Sequence, residues 1–296
     1  METSVTNLFI WLAFTGYPAL INHLISSFCL RFLDKAAVIS DLSSAYGNRQ
    51  SSWSLCTVTE VEELKILIRL LPIWVTGIFF GAAISQMHTT FIQQGTVMNT
   101  KIGSLTIPPA SLYSFEVICV TFWVLAVDKV IAPATRMYFA NGVELTQLQR
   151  IGRFLMIFAM AMAALLETKR LQSIREAEPL SIAWQFPQYF IIAGAECFAV
   201  ITQLEFFHGQ APESMKSMLT AFALLTTALG NYLSSAIITF IAGVTVVWQS
   251  PGWIPDDLNR GHLDYYYWCF AALSLANFVV YVYFASKYKL KKVVIS

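Results

Sequence analysis

The chain has 296 residues, 56% of them hydrophobic and 12% charged, with a net charge of +1 and a mean hydropathy of +0.59. Soluble domains carry about 25% charged residues, so this balance excludes an ordinary soluble protein, and a net charge near zero excludes the basic field that nucleic acid requires. The five cysteines, Cys29, Cys56, Cys119, Cys197 and Cys269, show no CxxC spacing and lie in or beside apolar segments, as unpaired thiols do rather than metal or disulfide frameworks.

Residues 1–30 form a divergent hydrophobic segment. Leu8 to Leu30 is apolar but carries Pro18, Asn22 and His23 and has no basic run ahead of it, so it is a poor signal peptide. It reads either as an extra membrane helix or as an interfacial segment. Residues 31–65 form a polar loop, marked by Ser43, Ser44, Gly47 and Asn48, followed by an amphipathic lead-in helix. Thr59 and Glu62 have capping-box spacing, Leu64, Leu67, Ile68 and Leu71 share one helical face, and Pro72 predicts a kink.

Six apolar runs follow within residues 66–286: Ile66 to Phe91, Ala110 to Tyr138, Leu148 to Leu166, Ile182 to Phe207, Met215 to Val247 and Tyr265 to Ala285. Each approaches or exceeds the ~20 residues that cross ~30 Å of hydrocarbon, which predicts an all-α membrane protein with a six-helix transmembrane bundle. Residues 287–296 form a basic tail. With that tail in the cytoplasm, fourteen of the nineteen lysines and arginines fall on its side, leaving Lys101, Lys169, Arg170, Arg175 and Arg260 opposite. This asymmetry predicts a cytoplasmic C-terminus. The run Tyr265, Tyr266, Tyr267, Trp268 reads as an interfacial belt, with a substrate vestibule as the alternative.

No HExxH, GxSxG, phosphate-binding loop or grouped histidine set is present, so neither an enzyme nor a cofactor or metal site is expected. Glu196 is the informative residue. It interrupts the fourth run between Ala193, Gly194, Ala195 and Cys197, and a charge at the bilayer centre costs roughly 2.5–3.5 kcal/mol on insertion scales. A chain keeps such a carboxyl for a proton, a partner or water; the plainer alternative is a hydrogen-bonded glutamate that only joins helices. Gln86 and His88 on the first run are candidates for the same cavity, with helix contacts as the competing reading. Asp128, Arg150, Glu205 and Lys216 stand at span ends and predict a cytoplasmic latch of ion pairs, or else simple topology signals.

Several runs resemble one family. RFLDKAA (Arg31 to Ala37), LCTVTEVEELK (Leu55 to Lys65), RLLPIW (Arg69 to Trp74), IPPASL (Ile107 to Leu112), LTQLQRIG (Leu145 to Gly152) and QLEFFHGQAPESMKS (Gln203 to Ser217) are similar to the plant nitrate/peptide branch of the proton-dependent oligopeptide transporters. PQYF, LGNYLSS and PGWIPDDLNRGHLD extend the resemblance toward Lys292, whereas Met1 to Leu30 carries no matching run. The resemblance implies a major facilitator fold of two six-helix bundles around a central site, with these six spans standing for the second bundle. It implies symport of protons with nitrate, di- or tripeptides or hormone-like solutes, in the plasma or vacuolar membrane. The family's first-helix pair of glutamates and arginine has no counterpart here. Glu196 falls on a tenth-helix glutamate used in the cavity and in gating, and Gln86 on a seventh-helix cavity glutamine. Ile84 stands where a nitrate-transporting member places a histidine. The implied partners are a proton, a small solute, the lipid bilayer and either an N-terminal bundle or a second copy. The alternative expectation is a truncated half-transporter, inactive alone, that acts as an interaction partner or is a fragment.

Overall fold

In the computed structural model the described residues are 58–131, 133, 145–205, 216–248, 252–255 and 257–287. The segment 1–30, the loop ahead of the first helix and most of the tail lie outside them. The chain divides into two units, Met1–Leu71 and Pro72–Ser296, and the elements that carry the candidate site belong to the second.

The first helix, α1 (Val58–Ile84), runs through Pro72 and ends in a 3-10 turn, Ser85–His88, before the short α2 (Thr90–Thr96). Side chains satisfy the backbone groups freed at this break: Thr89 Oγ1 donates to Ser85 O at 2.9 Å and Tyr189 Oη to Met87 O at 3.3 Å. Such repair is what lets a broken helix persist where no water is available. A two-residue hairpin follows, β1 (Lys101–Ile102) paired antiparallel with β2 (Leu105–Thr106), its turn made by Gly103 at φ +62°. Pro109 opens a 3-10 turn that leads into α3 (Leu112–Ala126), which loosens into a π-turn at Val127–Ile131.

The longest single run before the midpoint of the bundle is α4 (Leu145–Arg175). It extends nine residues past Leu166, where the hydropathy had predicted its end, because Glu167 and Arg170 are buried inside the bundle instead of starting a loop. Arg170 therefore drops out of the charge count for that side. Then come a 3-10 turn, Ile182–Gln185, with Ser181 Oγ accepting from Ala183 N; α5 (Phe186–Glu196); and a π-turn, Cys197–Ile201. The bundle closes with α6 (Lys216–Trp248) and α7 (Leu263–Lys287).

Among the described residues, five of the six expected runs hold helices long and apolar enough to cross a membrane, over Leu70–Thr96, Pro109–Ile131, Gln147–Arg175, Thr220–Val247 and Leu263–Ser286. The run from Ile182 is segmented, and Gln185, Gln188, Glu196 and Gln203 make it more polar than the others. Its last two residues, Phe206 and Phe207, lie outside the described set.

At the centre α4 packs along α7 and α5, and α5 along α3. Lipid offers no hydrophobic drive for helices to associate, so packing relies on small residues that let backbones approach. Ala159, Ala163 and Ala164 of α4 are fully buried beside Met156 and Met160. Phe91 fills the space between, edge-on to Tyr189 at 5.7 Å and Tyr267 at 5.5 Å. By contrast Ile118, Tyr232 and Phe240 leave 66%, 76% and 70% of their surface open, the pattern of helices whose outer faces meet acyl chains. Half of the expected aromatic belt turns inward: Tyr266 and Tyr267 are buried, while Tyr265 and Trp268 remain exposed.

Candidate functional site

Glu196 is the last residue of α5, and the π-turn begins at the next position. A π-turn inside a helix exposes carbonyls that lack regular partners and is frequent at functional sites. Here Thr202 Oγ1 donates to Phe198 O and Gln149 Nε2 to Thr202 O at 3.0 Å, which restores part of that bonding. The small residues ahead of Glu196 let a neighbouring helix come close. The Trp123 ring of α3 lies so near Gly194 that a Cβ there would stand 2.9 Å from its Cε2, and Trp123 Nε1 donates to Phe190 O at 3.0 Å. Glu196 itself is half-buried.

Two further groups converge on it. His88, from the 3-10 turn, is exposed, lies within electrostatic reach of Glu196 and stacks edge-on against Tyr113 of α3 at 5.0 Å. Glu116, one helical turn beyond Tyr113, is 4% exposed, and its carboxyl lies within hydrogen-bonding reach of that of Glu196. Glu116 was missed at the sequence level, although a carboxyl within an otherwise apolar span is the same signal that singled out Glu196.

Gln86, read either as a cavity group or as a helix contact, is fully buried. The 3-10 turn buries it and leaves His88 exposed, and all the polar positions of Gln86 are taken. Nε2 donates to Ala82 O at 3.0 Å and Ser234 Oγ at 2.9 Å; Oε1 accepts from Tyr266 Oη at 2.7 Å and Thr90 Oγ1 at 3.1 Å. With two donors and two lone pairs engaged, Gln86 has none left for a solute in this conformation and instead ties α1 to α6 and α7. A small apolar recess nearby is lined by Phe79, Ala82, Ile237, Phe270, Leu273 and Ser274, without Gln86. Single hydrogen bonds between membrane helices are worth about 0.6 kcal/mol on average and up to about 1.7. Tyr266→Phe is therefore expected to lower stability by ~1 kcal/mol, read as a small fall in the thermal midpoint in detergent; no fall would mean that the Gln86 network is idle.

Among the described residues, the groups read as a latch or as topology signals stand as follows. Asp128 pairs at 3.5 Å with its neighbour Lys129, and both side chains are mostly exposed on the π-turn after α3. Among the described residues no ion pair joins Asp128, Arg150 and Glu205. Arg150 has a buried Nε without a partner, Glu205 is exposed, and the side chain of Lys216 lies outside the described residues.

Comparison with known proteins decides the lineage. The profile of the POT family, PTR2, matches residues 3–254. The chain belongs to the POT family. Protein NRT1/ PTR FAMILY 8.3 of Arabidopsis thaliana is 49% identical over 272 residues, covering 88% of this chain and 46% of the relative. Protein NRT1/ PTR FAMILY 8.2 of the same plant is 47% identical, with coverage of 89% and 48%. The POT-family chain thus spans about half the length of the curated relatives it matches. The match begins at residue 3 and so takes in most of Met1 to Leu30, where the sequence reading found no matching run.

Solved structures agree on the fold. The crystal structure of an auto-inhibited POT family peptide transporter superposes with a TM-score of 0.66 at 21% identity, over 80% of this chain and 44% of that one. The POT family transporter PepTSo gives 0.59 at 20% identity, over 92% and 52%. The expected all-α membrane bundle of the major facilitator fold is therefore the fold of this POT-family chain, and the family is one of transporters, not enzymes.

Away from Glu196 the POT-family bundle holds a second polar cluster that the sequence reading passed over. Glu167 and Arg170, both fully buried, form a two-pronged pair, with Arg170 Nε 2.8 Å from Glu167 Oε2 and Arg170 Nη2 2.6 Å from Oε1. Gln94 Nε2 donates to Glu167 Oε2 at 2.8 Å, and Gln185 Nε2 and Gln188 Nε2 donate to Gln94 Oε1 at 3.0 and 3.3 Å. Arg170 Nη1 reaches Asn259 Oδ1 at 2.7 Å, so α2, α4, α5 and the segment before α7 meet at one point. The available signal was the i, i+3 spacing of opposite charges next to an apolar run.

Proposed function

We propose that this chain supplies the proton- and solute-handling bundle of a symporter that moves nitrate, di- or tripeptides or related small solutes across the plasma or vacuolar membrane. Its C-terminus lies in the cytoplasm in this reading. The observation that carries it is the Glu196 carboxyl, held inside a transmembrane bundle at the junction of an α-helix and a π-turn, with His88 beside it. Taking up a proton neutralises Glu196 and removes the cost of exposing its charge to hydrocarbon while the bundle moves. Each proton carried down the potential supplies ~2.3 kcal/mol per 100 mV. Ile84, standing in place of the histidine, argues against a histidine-bound nitrate and leaves other nitrate contacts open.

The test is uptake of labelled nitrate and of a labelled dipeptide into proteoliposomes holding the purified chain, with and without an inward proton gradient. Gradient-dependent accumulation of one solute is expected, and Glu196→Gln is expected to abolish the gradient dependence. Accumulation indifferent to the gradient, or to Glu196→Gln, refutes the reading. The half-length match favours a second reading, in which this bundle transports only with a companion bundle or a second copy. Uptake restored by co-reconstitution with a relative's first bundle, and absent without it, selects that alternative.

A further inference from the structure

Glu196 does not stand alone, and its partner changes what the proton site is. Glu116, Cys119 and Trp123 form one stripe of α3, and that stripe packs against α5: the Trp123 ring is 5.1 Å from Phe190 and 5.5 Å from Phe198, on either side of Gly194. One turn before Glu116, Tyr113 holds the His88 ring. Three elements, the 3-10 turn, α3 and α5, thus bring one imidazole and two carboxyls together, with Glu116 and Cys119 both buried. The titratable groups facing the pair are His88 from the turn, Cys119 from α3, and Tyr189 and Cys197 from α5. The other buried glutamate among the described residues, Glu167, faces Arg170 at the separate cluster.

Ionised carboxylates only accept hydrogen bonds, so two of them within bonding reach have no donor between them. Like charges this close repel strongly where water is excluded. No lysine or arginine among the described residues pairs with either carboxyl to offset this. One proton placed between them supplies the missing donor and cancels the repulsion, as in other carboxyl pairs that share a proton.

We propose that the transported proton is held between Glu116 and Glu196 as a shared carboxylic acid–carboxylate pair, and that it is released when movement of α3 against α5 separates the two groups. This rests on the symport reading above. The balance is simple: a carboxylate pair gains one proton from one side and returns the same proton to the other, and no other bond changes. The role of Glu116 is specific to the pair, because Gln at that position fills the same volume and still donates a hydrogen bond to Glu196, yet carries no exchangeable acid.

Infrared difference spectroscopy of the purified chain in lipid nanodiscs, recorded across a pH series, reads the shared proton without any transport. The expected result is a carboxylic-acid C=O stretching band in the wild type whose position and pH dependence change in Glu116→Gln and also in Glu196→Gln. A band that survives unaltered in either variant overturns the sharing. Should Glu116→Gln fail to fold, Glu196→Gln alone decides, since a proton left on Glu116 would have lost its partner. In the proteoliposome assay, Glu116→Gln is expected to lose gradient-driven accumulation while solute exchange continues. If the wild type shows the band behaviour but no gradient-driven uptake, the symport reading fails and the shared proton stands. If the wild type couples and Glu116→Gln still couples normally, the shared proton fails and symport through Glu196 stands.

Discussion

Arg170→Met is expected to destabilise the bundle by about 3–5 kcal/mol, the cost of leaving one member of a buried ion pair without its counter-charge. Both side chains are fully buried, and Arg170 meets Glu167 through two short bonds while also holding Asn259 Oδ1 and, at 3.3 Å, Leu258 O. Its loss strands the Glu167 carboxylate with Gln94 Nε2 as its remaining donor. The double variant Glu167→Gln/Arg170→Met removes both charges at similar volume and is expected to regain most of the lost stability, since apolar or neutral replacements of whole buried pairs are often tolerated. The measurement is the thermal midpoint in detergent for wild type, single and double variants. A single variant as stable as wild type, or a double variant no better than the single, would show that the pair is not what joins α2, α4, α5 and the segment before α7.

The second large effect is steric. Gly152 of α4 faces the backbone around Glu196: a Cβ there would lie 2.7 Å from Ala199 N and 2.9 Å from Ala195 O. Those atoms belong to α5 and its π-turn and cannot swing aside as a side-chain tip would. Gly152→Leu must push α4 away from α5, and overpacking of this kind costs typically 1–3 kcal/mol, occasionally more. Because the displaced backbone carries Glu196, the expected phenotype is a lowered thermal midpoint together with a weakened response of uptake to the proton gradient. Gly152→Ala makes the same contact with one carbon and is expected to give a smaller version of both changes. Normal stability and coupling in Gly152→Leu would mean that α4 and α5 are not held at this separation.

These expectations draw on features of unequal visibility in the sequence. The membrane spans were legible because hydropathy is a property of a local run and needs no partner. Glu196 was legible for the same reason: a carboxyl among Ala193, Gly194, Ala195 and Cys197 is conspicuous whatever surrounds the helix. Glu116 carried the same mark and was overlooked, as was Glu167, while Arg170 was counted among the charges outside the spans. The burial of Arg170 reverses that assignment, and only the helices packed around it reveal it.

Facing was the part that sequence could not supply. In water an amphipathic helix advertises its buried side by alternating apolar and polar residues, but a helix in lipid is apolar all round and its periodicity says little about which face meets protein. That is why Gln86 and His88, two residues apart, could be read either as cavity groups or as helix contacts, although the 3-10 turn buries one and exposes the other. For the same reason Tyr266 and Tyr267 were read as belt or vestibule residues, and Asp128, Arg150, Glu205 and Lys216 as a latch or as topology signals.

By itself the sequence determined that this is an all-α membrane chain of the transporter family, and that Glu196 is a charge needing a reason. The tertiary structure decided that Glu116 lies within bonding reach of Glu196 with His88 within electrostatic reach, that Gln86 is fully bonded within the bundle, and that Arg170 lies inside it. The physical reason is range. Burial in lipid is decided by the residues adjacent along the chain, whereas hydrogen bonds and ion pairs depend on helices far apart in sequence that only packing brings together.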